Sequence, residues 1–301
     1  MKVFVEGASS MIGRYVCEEF KDDELIFPDM EEGKEISESH IRELVNSVEG
    51  GLDLVVYCHT PEELPTLLRV LEKRPPRALV VVSGYEVYGL AGGDMIGENS
   101  LGRREESAGG KDFSEERRER GVRMLDMEVA AAEWVRDHPE TTLTILRPAR
   151  VFGKGMSGEC ARMFAEVVAG RYVHIRGEEA GISLVTALDV ARSVRCLYTA
   201  GGVYNLCDDH PVTWLELAEG MSANAGKYRR PMVLPAPWAS AAYRFLGWLP
   251  VVREQLNPVR LADRRVSFIL DNSRAKDAGM SFYDTLAVIR REAGDYPYQD
   301  Q

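Results

Sequence analysis

At 301 residues, 45% hydrophobic and 28% charged, the chain has the composition of a globular protein and enough length for one large α/β domain, alone or with a smaller partner. A net charge of −11 runs against nucleic-acid binding, which wants clustered positive surface. Five scattered cysteines (Cys17, Cys58, Cys160, Cys196, Cys207) form no Cys-x-x-Cys pair and the histidines show no ligand spacing. Neither a zinc site nor a disulfide framework is therefore expected, and a cytoplasmic location fits. No apolar run approaches membrane-spanning length, and the first residues read as a strand rather than a signal peptide.

The strand Lys2–Glu6 feeds the small-residue turn Gly7-Ala8-Ser9-Ser10-Met11-Ile12-Gly13, and a helical pattern follows at Tyr15, Val16 and Phe20. A turn of this kind lets the backbone approach a pyrophosphate and points the N–H groups of the helix start at its charge. The spacing is Gly-x-x-Ser-x-x-Gly, with Ser10 where a middle glycine is expected. Glu24 to Asp29 reads as a second strand. Asp29 lies about twenty residues past the turn, where a carboxylate can hold the hydroxyls of an adenosine ribose and repel a 2′-phosphate, favouring NAD over NADP; the alternative is one solvated acid in an acidic run.

Ile41, Leu44, Val45 and Val48 recur at helical spacing, and the apolar runs Leu52–Cys58 and Ala78–Val82 fit strands covered on both faces. Pro61 can open the helix between them. The alternation of strand and helix predicts a doubly wound parallel sheet. Residues 89–111 read as a loop, and Asp112 with Glu115 has capping-box spacing for a helix through Met124, Met127, Ala131 and Trp134, ending near His138. On that helix Arg117 to Arg120 suits a solvated face, and Leu125, Val129, Ala132 and Trp134 a core face. Thr142–Leu146 is a strand; glycines 153, 155 and 158 mark a loop; Cys160–Ala169 is helical. Leu184–Thr186 is strand-like, Asp189 caps a helix from Val190 to Tyr198, and Val203–Leu206 is a strand. Prolines 231, 235, 237, 250 and 258 space out the remainder.

Several segments, in order, resemble the extended short-chain dehydrogenase/reductases, the NAD-dependent epimerase/dehydratase family. Besides the glycine turn, they are Asp53 to His59, Val81-Val82-Ser83-Gly84-Tyr85-Glu86-Val87-Tyr88-Gly89, Leu146-Arg147-Pro148-Ala149-Arg150-Val151-Phe152-Gly153, Leu184 to Ala191, and Asp271 to Met280. The resemblance implies a Rossmann-like domain over 1–153, rejoined by about 184–207, and a smaller substrate-side lobe over 154–301. It implies NAD held by Gly7, Ser9, Ser10, Met11, Ile12, Gly13, Asp29, His59, Thr60, Ser83 and Pro148. It also implies a nucleotide-sugar substrate near Glu86 and Arg150, and a homodimer through the helix that carries Arg120.

The residues that perform the family's chemistry are missing. Members oxidise a sugar hydroxyl with a Ser or Thr, a Tyr that takes the proton, and a Lys four residues later. Those positions fall on Gly84, Arg120 and Met124, while Gly121 and Glu128 agree with the family pattern. Tyr85 is either a replacement base or a packing residue; a phenol without a neighbouring ammonium keeps a pKa of about 10 and is a poor base. Glu86 matches an acid of some dehydratases or is structural, Arg150 binds an anion or makes a surface ion pair, and His59 touches the cofactor or blocks it. Two functions stand: a dinucleotide-binding protein without hydride chemistry, which the residues favour, and an active epimerase, dehydratase or reductase with a rearranged proton relay.

Overall fold

The computed structural model describes residues 1–28, 37–89, 93–100, 115–177, 179–223, 230–246, 248–249, 256 and 264–292. Six parallel strands form its main sheet: β1 (Lys2–Glu6), β2 (Glu24–Ile26), β3 (Leu54–Tyr57), β4 (Ala78–Val82), β6 (Thr142–Pro148) and β11 (Gly202–Leu206). Their order across the sheet is β2-β1-β3-β4-β6-β11. The strand runs are apolar throughout because both faces are covered. Val3 and Val5 pack against α1 (Met11–Glu19) and the helix Ala187–Leu197, through Val16, Phe20, Val190 and Val194. On the other face Phe4, Val55 and Tyr57 meet α2 (Glu38–Ser47), α3 (Leu64–Leu71) and α4 (Glu115–Asp137), through Ile41, Leu67, Met127 and Ala131.

Outside this sheet, β7 (Arg150–Phe152) pairs with β10 (Leu184–Thr186), and β5 (Gly93–Ile96) joins β14 (Phe268–Leu270), β9 (Gly181–Ile182) and β12 (Val212–Thr213). Helices α5 (Gly158–Val168), α7 (Trp214–Ala223) and α10 (Thr285–Glu292) share a second core around Phe164, Trp214, Leu217 and Ile289, with α6 the helix Ala187–Leu197. A small third core joins β8 (Val173–Ile175), β13 (Met232–Leu234) and α8 (Ala236–Leu246). The short helix α9 (Ser273–Asp277) follows β14. No described helix is long and apolar enough to cross a membrane.

Three expectations are corrected. Part of the stretch read as a loop, Gly93–Ile96, is a strand; its partner β14 lies far along the chain, and such pairing leaves no local pattern. The cap of α6 is Thr186, whose hydroxyl accepts from the N–H of Asp189 at 2.9 Å, and Asp189 accepts from that hydroxyl. The pair has capping-box spacing, with the Asp189 carboxylate on the Thr186 hydroxyl and Asp189 inside the helix rather than before it. On α4 the core face is Met127, Glu128 and Ala131, with Leu125 and Trp134 half-buried; Val129 and Ala132 face solvent. Asp29 and Asp112 lie outside the described residues.

Candidate functional site

The crossover after β1 runs to β2 on one side, and the crossover after β2 passes back over β1 to β3 on the other, so the carboxyl ends of β1 and β3 flank a topological switch point, where open α/β sheets bind ligands. Gly7 sits there at φ +85°, and a Cβ on it would stand 2.6 Å from the Cys58 carbonyl oxygen. A Cβ on Gly13 would stand 2.0 Å from the Gly7 carbonyl, so this glycine lets α1 start flush against the turn. Ser10, at φ −63°, needs no glycine. Its hydroxyl accepts from the Gly13 N–H at 3.0 Å and donates to the Cys58 carbonyl at 3.2 Å, capping α1 and tying it to β3. Ser10 is thus a substitute fastening, and the first-turn N–H groups of Met11 and Ile12 lie beyond the reach of any intrahelical bond. A cleft of about 470 Å³ runs from Ala8 and Ser9 past Arg14 and Glu18 to Leu25 and Phe27 at the end of β2. Arg14 leans back on the turn, donating to the Ser9 carbonyl at 3.1 Å. The cradle and cleft fit a dinucleotide: two glycines that no other residue can replace, a capped helix start and an apolar slot beside it.

Glu6, the last residue of β1, escaped the sequence reading. It is buried, its Oε2 has no hydrogen-bond partner, and burial, with help from the charge of Glu63, pushes its pKa to about 7. The signal available was a carboxylate closing an apolar strand. Beside it the Cys58 thiol is pushed to about 12 by burial and is inert. His59 turns its ring toward the helical turn Pro61–Glu63, with Nδ1 at 3.2 Å from Glu63 Oε2 and 3.4 Å from Thr60 Oγ1.

The positions aligned with the missing relay do come together. They close around the carboxylate of Glu86. A Cβ on Gly84 would stand 2.5 Å from Glu86 Oε2 and 3.1 Å from the Met124 sulfur, and Arg120 Nη1 lies 3.8 Å from Glu86 Oε1. Gly121 lets α4 press onto the 3-10 turn Tyr85–Tyr88, because a Cβ there would meet the Glu86 carbonyl at 2.3 Å. Ser83 is buried at the end of β4 with its hydroxyl unpartnered. Neither side chain at the Tyr and Lys positions takes over the lost role: the Met124 thioether carries no charge and the Arg120 guanidinium does not give up its proton.

The tyrosines are occupied elsewhere. Tyr85 packs edge-on against Phe268 at 5.2 Å, under the Arg150 guanidinium at 4.8 Å from its ring centre. Tyr88 donates to Asn205 Oδ1 and accepts from Arg147 at 3.0 Å, and burial raises its pKa to about 12. Arg150 is buried rather than at the surface. Its guanidinium is sandwiched between Tyr85 and Trp214, at 5.0 Å from the latter's ring, and Nε lies 3.9 Å from Glu159 without a hydrogen bond. The indole N–H of Trp214 is also buried without a partner. Pro148 ends β6, opposite Leu206.

The residues that do match the family pattern form a separate buried network. Arg147 grips Glu128 in a bidentate pair at 3.0 and 2.6 Å, and also donates to Tyr88 and to the Glu98 carbonyl. Asn205 extends it, donating to the carbonyls of Ile96 and Asp271 at 2.9 and 3.1 Å. Among the described residues, no three His, Cys, Asp or Glu side chains gather as a metal site would require.

This fold is shared with solved nucleotide-sugar epimerases. Similar solved structures include a UDP-glucose 4-epimerase of Thermotoga maritima with UDP-glucose (TM-score 0.70, 16% identity, 97% of each chain covered). They also include a UDP-N-acetylglucosamine 4-epimerase of Bacillus cereus (0.68, 17%, 98% of this chain and 95% of that one). A third is a human epimerase family protein with NADPH (0.68, 18%, 98% and 99%). The sequence matches no protein-family model and no curated protein.

Proposed function

We propose that the chain is a member of the extended short-chain dehydrogenase/reductase family that binds a nicotinamide dinucleotide, with NAD preferred over NADP, and has lost the family's proton relay. One observation carries this reading: the Glu86 carboxylate fills the space over Gly84 where an orienting hydroxyl would stand, walled by Met124 and countered by Arg120. The dinucleotide's chemistry, when it is bound, is the acceptance or return of hydride. Gly7 and Gly13 let the turn and the start of α1 pack close against the strand ends, and the N–H groups of Met11 and Ile12 face the pyrophosphate charge. Asp29, just beyond the described end of β2, supports NAD by its spacing alone.

On the substrate side, two buried donors without acceptors, Arg150 Nε and Trp214 Nε1, suit an oxygen-rich anionic ligand such as a nucleotide sugar. The similar epimerase solved with UDP-glucose supports the same class.

The second reading is an active enzyme in which Glu86 moves the proton. It draws on the same carboxylate, which lies against the vacated relay positions. The two separate when the protein is incubated with NAD and UDP-sugars and the recovered sugars are analysed for epimerised, dehydrated or oxidised product, because a reaction that returns its hydride leaves no net reduced nicotinamide. Unchanged sugars support the binding protein. Product formation that Glu86→Gln abolishes establishes the enzyme instead, and formation that survives Tyr85→Phe removes Tyr85 as base. Restoring the relay by Gly84→Ser, Arg120→Tyr and Met124→Lys together is expected to leave the protein inactive while Glu86 keeps its place. Adding Glu86→Ala frees the space for the new serine.

A further inference from the structure

Between residues 220 and 253 the sequence carries five basic residues (Lys227, Arg229, Arg230, Arg244 and Arg253) and no acidic one, so the rest of this −11 chain carries −16. The same stretch holds six of the large apolar side chains that face solvent: Met232, Val233, Trp238, Phe245, Leu246 and Trp248. The exposure of the aromatics is extreme, at 70% for Trp238, 73% for Phe245 and 77% for Trp248. Helix α8 explains why. Ala236, Ala239, Ala242 and Tyr243 turn inward onto Ile175 and Leu256, so Trp238 and Phe245, seven residues apart, share the outer face, and Trp248 follows two residues past its end. Arg230 and Arg244 are exposed beside them.

From this pairing of exposed aromatics with a local reversal of charge, we propose that the outer face of α8 and its flanks is a docking surface for an anionic lipid bilayer. Exposed Trp, Phe and Leu in one stretch with exposed arginines and no acid is the composition of a helix that lies in the headgroup region. The acidic remainder does not forbid this, because charges more than about 8 Å away are screened at physiological salt, leaving the local sign to decide. A second copy is a poorer occupant. Patch on patch would oppose Arg230 and Arg244 with the same arginines of the second copy, and patch on an acidic face would be a heterologous contact that does not close. The inference is independent of the dinucleotide site.

The test is co-sedimentation of the full chain with phosphatidylcholine vesicles and with vesicles containing about one-third phosphatidylglycerol, at about 0.15 M salt. The expected result is at least about fivefold more protein pelleting with the anionic vesicles, with a blue shift of tryptophan emission. The triple variant Trp238→Ser, Phe245→Ser, Trp248→Ser, whose sites are exposed and whose melting temperature should stay put, loses the pelleting. Arg230→Glu with Arg244→Glu loses the preference for anionic lipid. Equal or no pelleting with both vesicles overturns the proposal. So does a triple variant that pellets like the parent, or one whose only change by light scattering is from dimer to monomer.

Discussion

The turn Tyr85–Tyr88 contributes to two clusters of opposite character, and one helix serves both. Arg120, Met124 and Glu128 recur every four residues along α4 and so form one stripe. At its inner end Glu128 is buried in a bidentate pair with Arg147, which reaches on to Tyr88. Toward its outer end Met124 is half-buried and Arg120 exposed, both against Glu86. The end that matches the family pattern is the buried one; the end that departs from it is open. A charged group deep in the protein cannot lose its partner without a penalty of several kcal/mol, whereas a partly hydrated site tolerates new residues. The resemblance to epimerases therefore reports most strongly on what holds the fold together and least on what the site does.

Four variants break or sharpen that contrast. Arg147→Met leaves Glu128 buried without its partner and is expected to cost about 3–5 kcal/mol by urea denaturation, and a loss under about 1 would detach the network from the fold. Glu6 comes next. Its pKa is raised in the folded protein, so folding gains from the protonated carboxyl below pH 4.5, and this gain is lost as pH rises toward about 7. The loss is of order 3 kcal/mol, so Glu6→Gln should flatten the fall in stability across that window, measured by melting from about pH 4.5 to 8. Ser10→Ala removes the cap on α1 and its tie to Cys58 and should cost about 1 kcal/mol, with weaker dinucleotide binding. Arg120→Ala, at the open end of the stripe, should shift stability by no more than about 0.5 kcal/mol in the same denaturation assay.

The parallel sheet was legible because its strands are continuous apolar runs separated by helical spacing, and Gly7 and Gly13 because close backbone approach demands that residue type. What stayed hidden depends on contacts between distant segments. β5 finds its partner in β14, and Glu6 becomes unusual only when Tyr57 and Glu63 close over it. Arg150 offered two readings, an anion ligand or a surface ion pair; Tyr85 and Trp214, from distant segments, bury its guanidinium, while Glu159 stays at 3.9 Å from its Nε. Ser10 looked like damage to the turn because the pattern names residue types, not dihedral angles. Its φ of −63° shows a position any residue can adopt, and its hydroxyl is put to use.

The central claim is that the cradle is intact while the relay is gone, and equilibrium titration with NADH and NADPH, followed by nicotinamide fluorescence, tests it most directly. The account predicts saturable binding at one site, tighter for NADH, with a rise in melting temperature at saturation. A flat titration with both dinucleotides would contradict it, since the close approach that Gly7 and Gly13 permit would then serve packing alone.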